Sequence, residues 1–323
     1  MALTSTRNFG KIGVLMGGPS SEREISLKSG KAVHENLAQI GLNAVCIDIK
    51  TDGIEDNARL ITSSGIDVAF IALHGHFGED GQIQAVLEGL GIPYTGSGVK
   101  ASRLAMDKTA SRRIFERSGL AVPKYKEEER STYSAGWAGL HSDFSFPLVV
   151  KPATHGSSIG LSIVEKEEFL DGSVNLALSF DTRIIIEEFI AGRELTVGIL
   201  GERALPVIEI VPKKGVFDYD AKYHPGMTKY LVPAELEEGL RAMVQAAALD
   251  AHKLLGCSGC SRVDLILSGE NIPFILEVNT IPGMTATSLL PKAAKVTGMD
   301  FPALCVRLIE LAYEKGQIKK TSG

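Results

Sequence analysis

The chain has 323 residues, 44% hydrophobic and 23% charged, and its net charge of −5 comes without any basic block. This composition is typical of a globular protein of two or three domains, and it argues against nucleic acid or an anionic membrane as the main partner. No apolar run approaches the roughly 18 residues of a membrane span, and the N-terminus lacks the apolar core of a signal peptide, so we expect a cytoplasmic protein.

The N-terminal region alternates strand and helix patterns. Lys11–Met16 reads as a buried strand, the turn at 17–19 follows it, and a helix is expected to run from there through Leu37. Further strands are predicted at 44–49 and 67–73, so this region should form a parallel sheet that binds ligands at the carboxyl ends of its strands. The glycine turn lacks GxGxxG, which excludes the dinucleotide-binding fingerprint.

The start of the first helix carries a run of polar residues. Ser21 and Glu24 fit a capping box, in which the serine caps the helix and the glutamate reaches back. This assignment leaves Glu22 projecting over the glycine turn. There it serves either a ligand or only the helix dipole.

The third predicted strand leads directly into a segment that contains His74, His76, Glu79 and Asp80. Two histidines and two acids so close together resemble a metal site, but no third cluster with zinc-ligand spacing accompanies them. We therefore interpret the segment as a polar rim that binds a small charged substrate.

A glycine- and serine-rich loop at 152–160 lies between two predicted strands, 146–151 and 161–164. The backbone N–H groups and hydroxyls of such a loop can cradle phosphate oxygens, although a flexible hairpin tip would have the same composition. The loop is not a Walker A motif, because GxxxxGK[ST] does not occur in the chain.

Residues 212–230 are polar, aromatic and rich in glycine and proline, and a connection of this length without periodicity is typical of a lid. Pro233 is then expected to open an amphipathic helix. Cys257 and Cys260 form a CxxC at its end, and without a second cysteine pair we interpret them as packing residues rather than zinc ligands.

Two short apolar strands at 261–267 and 274–280, separated by a turn, predict an antiparallel hairpin. Side chains alternate along a strand, so Arg262 and Asp264 share a face, as do Glu277 and Asn279. If the register pairs these faces, their oxygens suit a hard divalent cation such as Mg²⁺; otherwise they form only a polar solvent-facing surface.

In this order, the segments resemble the D-alanine–D-alanine ligases of the ATP-grasp superfamily, from about Ile12 to Leu311. The resemblance is carried by the motifs GGPSSEREISL, ALHGHFGEDG, YTGSG, MDK, VKPATHGSSIG, DYDAKY, GCSGCSRVDL and LEVNTIPGMTATSLLP. It implies an α/β fold, α+β in part, with a three-domain ATP-grasp architecture. The domains would be an N-terminal parallel-sheet domain (1–107), a central domain (108–194) and a C-terminal domain (195–323) that carries the lid loop 212–230.

The resemblance also implies which residues contact the nucleotide between the central and C-terminal domains. Lys108, Lys151 and Lys222 would contact phosphates, with Ser158 on the phosphate loop. The adenine and ribose side would comprise Glu187, Glu188, Phe189, Ile190 and Glu194. Glu188 departs from the pattern, because some relatives have lysine there.

Further residues are implied for substrate and metal. Two Mg²⁺ ions, with Mn²⁺ as a substitute, would bind Asp264, Glu277 and Asn279. Arg262 and Gly283 would stabilise the oxyanion, and Glu22 would bind the ammonium of the first D-alanine. Ser288 and Leu289 would hold the second D-alanine, with His74 and Glu79 on the substrate rim, and Glu22, Ser157 and Tyr223 would form a hydrogen-bonded triad.

The implied activity is ATP-dependent joining of two D-alanines through a D-alanyl phosphate, for peptidoglycan precursor synthesis, by a homodimer. One alternative is a D-alanine–D-lactate ligase of the same fold, against which Tyr223 argues. A non-catalytic nucleotide-binding module and a zinc hydrolase built on His74 and His76 are further alternatives from other classes.

Overall fold

The computed structural model describes residues 8–131, 144–212 and 228–321, with side chains to residue 315. Its first sheet is parallel and has the strand order β2-β1-β3. The strands are β1 (Ile12–Gly17), β2 (Ala44–Ile49) and β3 (Val68–Ile71), and the helices around them are α1 (Arg23–Gln39), α2 (Ile54–Ser64) and α3 (Gln82–Gly89). The predicted parallel sheet at the N-terminus is confirmed, and β3 points its carboxyl end at the histidine segment.

Two helices lead to a second sheet, which is antiparallel with the order β4-β7-β5-β6. The helices are α4 (Val99–Met106) and α5 (Lys108–Arg117), and the strands are β4 (Tyr125–Glu129), β5 (Leu148–Pro152), β6 (Ser162–Val164) and β7 (Arg183–Glu188). Helix α6 (Leu170–Phe180) packs on this sheet after one 3-10 turn. The phosphate loop connects β5 to β6, as predicted.

The third sheet is antiparallel with the order β11-β10-β8-β12-β13, and β9 lies beside β8. Its strands are β8 (Gly192–Leu200), β9 (Arg203–Ala204), β10 (Ile208–Pro212), β11 (Thr228–Leu231), β12 (Cys260–Ser268) and β13 (Pro273–Asn279). Three helices complete the described chain: α7 (Glu238–Leu254), α8 (Leu289–Val296) and α9 (Phe301–Thr321). Within the described residues, no helix is long and apolar enough to cross a membrane.

The apolar cores show which parts of the fold support each other. One core joins the first sheet to α9 and to Met284 and Leu290, which follow the hairpin, so the ends of the chain pack together. Another lies between the third sheet and α7 and includes Phe115 of α5. The second sheet has its own smaller core with α6. The floor of any site between the sheets is therefore built from strands with buried apolar undersides.

Two local predictions from the sequence are wrong. The capping box does not form: α1 begins at Arg23, its N-cap is Glu22, and no side chain caps it. Instead, the Ser20 hydroxyl accepts from the Glu22 N–H at 3.2 Å and donates to the His74 carbonyl at 2.7 Å, which ties this turn to the loop after β3. Helix α7 begins at Glu238 rather than at Pro233.

The two cysteines of the CxxC are free thiols. Burial raises the pKa of Cys257 to about 11 and that of Cys260 to about 12. Thiols with such raised pKa values are poor nucleophiles and poor metal ligands at neutral pH, which fits a packing role.

Candidate active site

A cavity of about 430 Å³ lies between the second and third sheets. The walls come from the ends of β5, β7, β8 and β13 and from the phosphate loop. Nearly all the residues that the family resemblance assigned to the nucleotide line it together: Lys108, Lys151, Ser158, Glu187, Glu188, Phe189, Ile190 and Glu194. Asp264 and Glu277 line the same cavity.

A second cavity, of about 600 Å³, lies between the first sheet and the turn after the hairpin. It gathers residues that are up to 267 positions apart in the chain, from Glu22 to Leu289. Its lining includes the residues predicted for the substrate, the oxyanion and the triad, with two predicted metal ligands: Glu22, His74, Glu79, Ser157, Arg262, Gly283, Ser288 and Leu289, with Glu277 and Asn279.

Lys108 and Glu277 line both cavities. The Lys108 ammonium lies 3.5 Å from the Glu277 carboxylate and donates to the His155 carbonyl at 2.6 Å. Lys108 is the first residue of α5, and Asp107 caps that helix by accepting from two backbone N–H groups at 3.0 and 3.1 Å. The cap explains the MDK motif: the aspartate holds the start of the helix, so the lysine is held where the cavities meet.

A buried ion cluster supports the nucleotide cavity. Lys151 on β5 pairs with one oxygen of Glu187 at 2.7 Å, and Arg112 of α5 pairs with the other. Burial raises the pKa of Glu187, but the two cations more than offset this and lower it overall. Burial lowers the pKa of Lys151 to about 8, and Glu187 opposes that shift. Glu187 thus has both oxygens bound inside the protein, so its carboxylate anchors Lys151.

The strand pairing predicted for the hairpin is confirmed. β12 and β13 are antiparallel, with Asp264 opposite Glu277 and Arg262 opposite Asn279. Arg262 donates to both oxygens of Asp264 at 2.9 and 2.7 Å, and the Thr196 hydroxyl donates to the same carboxylate at 2.6 Å. The Asn279 side-chain oxygen accepts from the Ile281 N–H at 2.9 Å. The polar face that the alternation predicted is therefore present at one edge of both cavities.

The donor set of this hairpin fits Mg²⁺. Two carboxylates are held on neighbouring strands where the cavities meet, and hard oxygen ligands of this kind suit Mg²⁺. In the described part of the chain, no group of three or more His, Cys, Asp and Glu side chains is arranged to hold a metal. Because Mg²⁺ is usually held by one or two carboxylates with substrate phosphates, the small number of protein ligands agrees with that mode.

The Glu22 carboxylate accepts from the Ser157 hydroxyl, across 135 positions of the chain. Ser157 and Ser158 both have left-handed backbone, with φ values of 55° and 58°. This conformation turns the loop so that Ser157 faces the substrate cavity and Ser158 faces the nucleotide cavity. A side chain at Gly75 would approach Glu22 to 2.6 Å, so the loop after β3 leaves space for that carboxylate.

His74 is buried behind the substrate cavity. Its Nε2 lies 3.1 Å from the Ser29 hydroxyl and its Nδ1 lies 3.4 Å from the Glu79 carboxylate. Burial raises the pKa of Glu79, and the neighbouring charge of Glu22 raises it further. Ser29 also accepts from the Met284 N–H at 3.4 Å. Through Ser29, His74 is therefore linked to the turn after the hairpin.

The turn after the hairpin ends at a helix N-terminus. Ser288 is the N-cap residue of α8, and its hydroxyl accepts from the Thr285 N–H at 3.1 Å. Leu289 is the first helical residue, so the N–H groups in the first turn of α8, which have no intrahelical acceptor, can face a carboxylate in the cavity. A side chain at Gly283 would come within 3.0 Å of the Ser288 hydroxyl, which requires a small residue there.

Some predicted residues lie outside the described part of the chain, and other residues of the site were missed. Lys222, Tyr223 and most of the lid segment lie outside the described residues. The sequence analysis missed Arg112 and Thr196, which hold Glu187 and Asp264, and His155, whose carbonyl holds Lys108. Arg112 can be identified only from its buried carboxylate partner, Glu187. The sequence does not show that this carboxylate is buried.

Comparisons with known proteins agree with this geometry. A family model described as D-ala D-ala ligase N-terminus matches residues 54–97, and one described as D-ala D-ala ligase C-terminus matches residues 114–310. The chain is 50% identical to a D-alanine–D-alanine ligase of Desulforudis audaxviator, over 94% of this chain and 99% of the relative. It is also 50% identical to one of Geotalea uraniireducens, over 94% and 96%.

Solved structures are similar as well. The ATP complex of a D-alanine–D-alanine ligase from Bacillus anthracis superposes with a TM-score of 0.84 at 34% identity, covering 96% of this chain and 99% of that chain. The VanG D-Ala:D-Ser ligase from Enterococcus faecalis superposes with a TM-score of 0.82 at 32% identity, covering 94% and 99%.

Proposed function

Because this chain belongs to the D-alanine–D-alanine ligase family and is an ATP-dependent ligase of it, we propose that its two connected cavities carry the two steps of the reaction. In the first step, the carboxylate of one D-alanine takes the γ-phosphate of ATP and becomes a D-alanyl phosphate. In the second, the amine of another D-alanine attacks that carbonyl, and phosphate leaves.

The observation that carries this proposal is the shared wall of the cavities. Lys108 and Glu277 belong to both, so a phosphate held in one cavity lies beside a carboxylate held in the other. A free carboxylate does not react with an amine at neutral pH, because oxide is a poor leaving group. Phosphorylation removes that obstacle only if nucleotide and amino acid meet at one point.

We assign phosphate binding to Lys108 and Lys151, with the hydroxyl and backbone N–H of Ser158 and with Lys222 on the lid. Both described lysines are buried, so their charges act through little solvent and stabilise a transferring phosphoryl group more strongly than exposed lysines would. The adenine and ribose would lie against Phe189, Ile190 and Glu194 at the far end of the nucleotide cavity.

Glu22 is assigned to the ammonium of the first D-alanine. Its link to the Ser157 hydroxyl supports this role, because the link fixes the carboxylate at the cavity wall. His74 and Glu79 line the polar rim behind it. The ammonium would then be held on the side away from the nucleotide, with the D-alanine carboxylate directed toward Lys108.

Arg262 and the Gly283 N–H are assigned to the oxyanion of the tetrahedral intermediate. Both line the substrate cavity close to Ser288 and Leu289, which would hold the carboxylate of the second D-alanine. Losing one oxyanion donor typically slows a reaction by about 10²–10³-fold.

Asp264, Glu277 and Asn279 would hold Mg²⁺, which neutralises the charge on the phosphates and orients them when bound. Arg262 donates to both Asp264 oxygens, so occupation of Asp264 requires those contacts to be exchanged. That exchange would release the guanidinium toward the substrate cavity. We further propose that the enzyme acts in the cytoplasm as a homodimer and supplies peptidoglycan precursor synthesis.

The test is ADP release, measured with D-alanine present and absent and with Mg²⁺ present and absent. We expect ADP release that needs both, with D-alanyl-D-alanine identified by mass spectrometry. Nucleotide binding without D-alanine-dependent ADP release would refute the enzymatic proposal in favour of a binding module. D-Serine and D-lactate offered as acceptors beside D-alanine separate the related ligases, and preferential formation of either mixed product would overturn the assigned second substrate.

A further inference from the structure

Arg112 is an arginine with a fully buried side chain beside the nucleotide cavity. Its exposed fraction is 0%, and it lies one turn after Lys108 on α5. The guanidinium pairs with Glu187 and lies 5.5 Å from the centre of the Tyr125 ring. Both contacts favour a cation, but an apolar side chain of similar size is often as stable or more stable in such a place. Packing alone therefore does not account for a charge here.

The ion cluster around Glu187 suggests what the charge does. Lys151 occupies one oxygen of that carboxylate at 2.7 Å, and Arg112 occupies the other. With one cation only, the pair would be neutral, and the nucleotide cavity would face no net charge at this wall. With two cations and one anion, the cluster carries a net positive charge in a site that receives phosphates.

The arrangement also restricts the position of the lysine. Because Arg112 holds the second oxygen of Glu187, the Lys151 ammonium is confined to the first oxygen. Lys151 lines the nucleotide cavity. Tyr125 pairs directly with Glu187 across β4 and β7, and Val149 pairs with it from β5. The backbone of Glu187 is thus fixed by a strand on either side, while its carboxylate is held by Lys151 of β5 and Arg112 of α5.

We propose that Arg112 is a positioning residue for ATP binding, which acts by holding Glu187 so that the Lys151 ammonium faces the nucleotide phosphates with a net positive charge behind it. This role rests on the phosphate contact proposed for Lys151. The pKa of Glu187 supports it, since burial raises that pKa while Arg112 and Lys151 together lower it below its ordinary value. Arg112 itself lines neither cavity and acts through Glu187, which lines the nucleotide cavity.

The experiment compares kcat, KM for ATP and KM for D-alanine in the full-length enzyme. Arg112→Met is expected to raise KM for ATP about tenfold or more, because a misplaced Lys151 weakens phosphate binding. KM for D-alanine should stay within about twofold, since Arg112 does not line the substrate cavity. Arg112→Lys keeps the charge and should recover most of the ATP affinity. If Arg112 had only a structural role, its replacement would lower the amount of active enzyme without raising KM for ATP more than KM for D-alanine.

Arg113→Met is the matched control. Arg113 lies next to Arg112 on α5, but 59% of its side chain is exposed and it pairs with Glu127 at the surface. Exposed ion pairs contribute little to stability, so this variant should keep both KM values within about twofold. An unchanged KM for ATP in Arg112→Met, or equal changes for both substrates, would overturn the proposal.

Two more variants keep the test decisive. If Arg112→Met does not fold, the double variant Arg112→Met/Glu187→Gln removes both buried charges together. An ATP affinity equal to that of the wild type in the double variant would overturn the proposal.

Lys151→Met tests the role assigned to Lys151 separately from the inference about Arg112. An unchanged KM for ATP in Lys151→Met refutes the role assigned to Lys151. If KM for ATP rises in Lys151→Met but stays at the wild-type value in Arg112→Met, only the inference about Arg112 is refuted.

Discussion

The nucleotide cavity and the substrate cavity are built in different ways. The charged residues of the first lie mostly on strands and are paired inside the protein, as in the cluster of Arg112, Glu187 and Lys151. The second is assembled from loops that are distant in sequence, as in the contact between Glu22 and Ser157. The difference indicates that charge is preset in the cavity proposed for the nucleotide, whereas the cavity proposed for the amino acids is completed by loops from all three sheets.

The largest effect should come from the wall that both cavities share. Glu277→Gln keeps the shape of the side chain but removes the charge that faces Lys108 and the proposed cation. We expect turnover to fall by about 10³-fold, with the thermal midpoint close to that of the wild type.

Glu270→Gln is its control, because Glu270 lies in the turn at the other end of the same hairpin and contacts Ser268. Steady-state assays with each substrate saturating measure the change. Turnover near the wild-type value in Glu277→Gln would refute the metal assignment. It would also refute the importance of the wall that the two cavities share.

The two adjacent serines of the phosphate loop should separate the cavities. Ser157→Ala removes the hydroxyl that holds the Glu22 carboxylate, and a hydrogen bond to a charged group contributes about 1.5–3 kcal/mol. We therefore expect KM for D-alanine to rise about 10–100-fold, with KM for ATP little changed.

Ser158→Ala, one residue on, should act on ATP and not on D-alanine, because Ser158 lines the nucleotide cavity. The two variants have the same chemistry and similar backbone, with φ of 55° and 58°, so each controls for the other. Equal effects of both variants on both substrates would contradict the division into two cavities.

The pH dependence of kcat/KM for ATP should reflect a lysine of the nucleotide cavity. Burial lowers the pKa of Lys151 to about 8, so this lysine loses its proton as the pH rises through that value. The neutral amine cannot pair with phosphate, so kcat/KM for ATP should fall above pH 8, by up to about tenfold per pH unit. Lys151→Arg stays charged throughout and should lack this titration. A fall that persists in Lys151→Arg would assign the pH dependence to another group.

The smallest effect is expected at the open end of the nucleotide cavity. Phe189 lines that cavity and its side chain is 38% exposed, so it offers an aromatic face to the base rather than part of the core. Contacts of this kind contribute about 0.5–1.5 kcal/mol. Phe189→Ala should raise KM for ATP roughly 2–10-fold at unchanged kcat and unchanged KM for D-alanine. A loss of kcat would mean that Phe189 has another role.

The same comparison explains how far the sequence could predict the site. Alternation along each strand was enough to put Arg262 on the face of Asp264, and Glu277 on that of Asn279, because strand geometry fixes which side chains share a face. It left the register of the hairpin open, and the structure shows that the register places Asp264 opposite Glu277. No local pattern brings Glu22 to Ser157, and that contact came only from the resemblance to a family. The capping box at Ser21 was wrong because Ser20 bonds to the loop after β3, which is a tertiary contact. Arg112 was missed because a polar helix segment gives no sign that one of its arginines is buried.

The central claim is that a carboxylate in one cavity receives a phosphoryl group from a nucleotide in the other. It is tested most directly with D-alanine that carries ¹⁸O in both carboxyl oxygens, followed by mass spectrometry of the phosphate released. If the reaction passes through D-alanyl phosphate, each dipeptide formed releases one phosphate, and that phosphate carries one labelled oxygen. Phosphate without the label, at the same rate of dipeptide formation, would contradict the account.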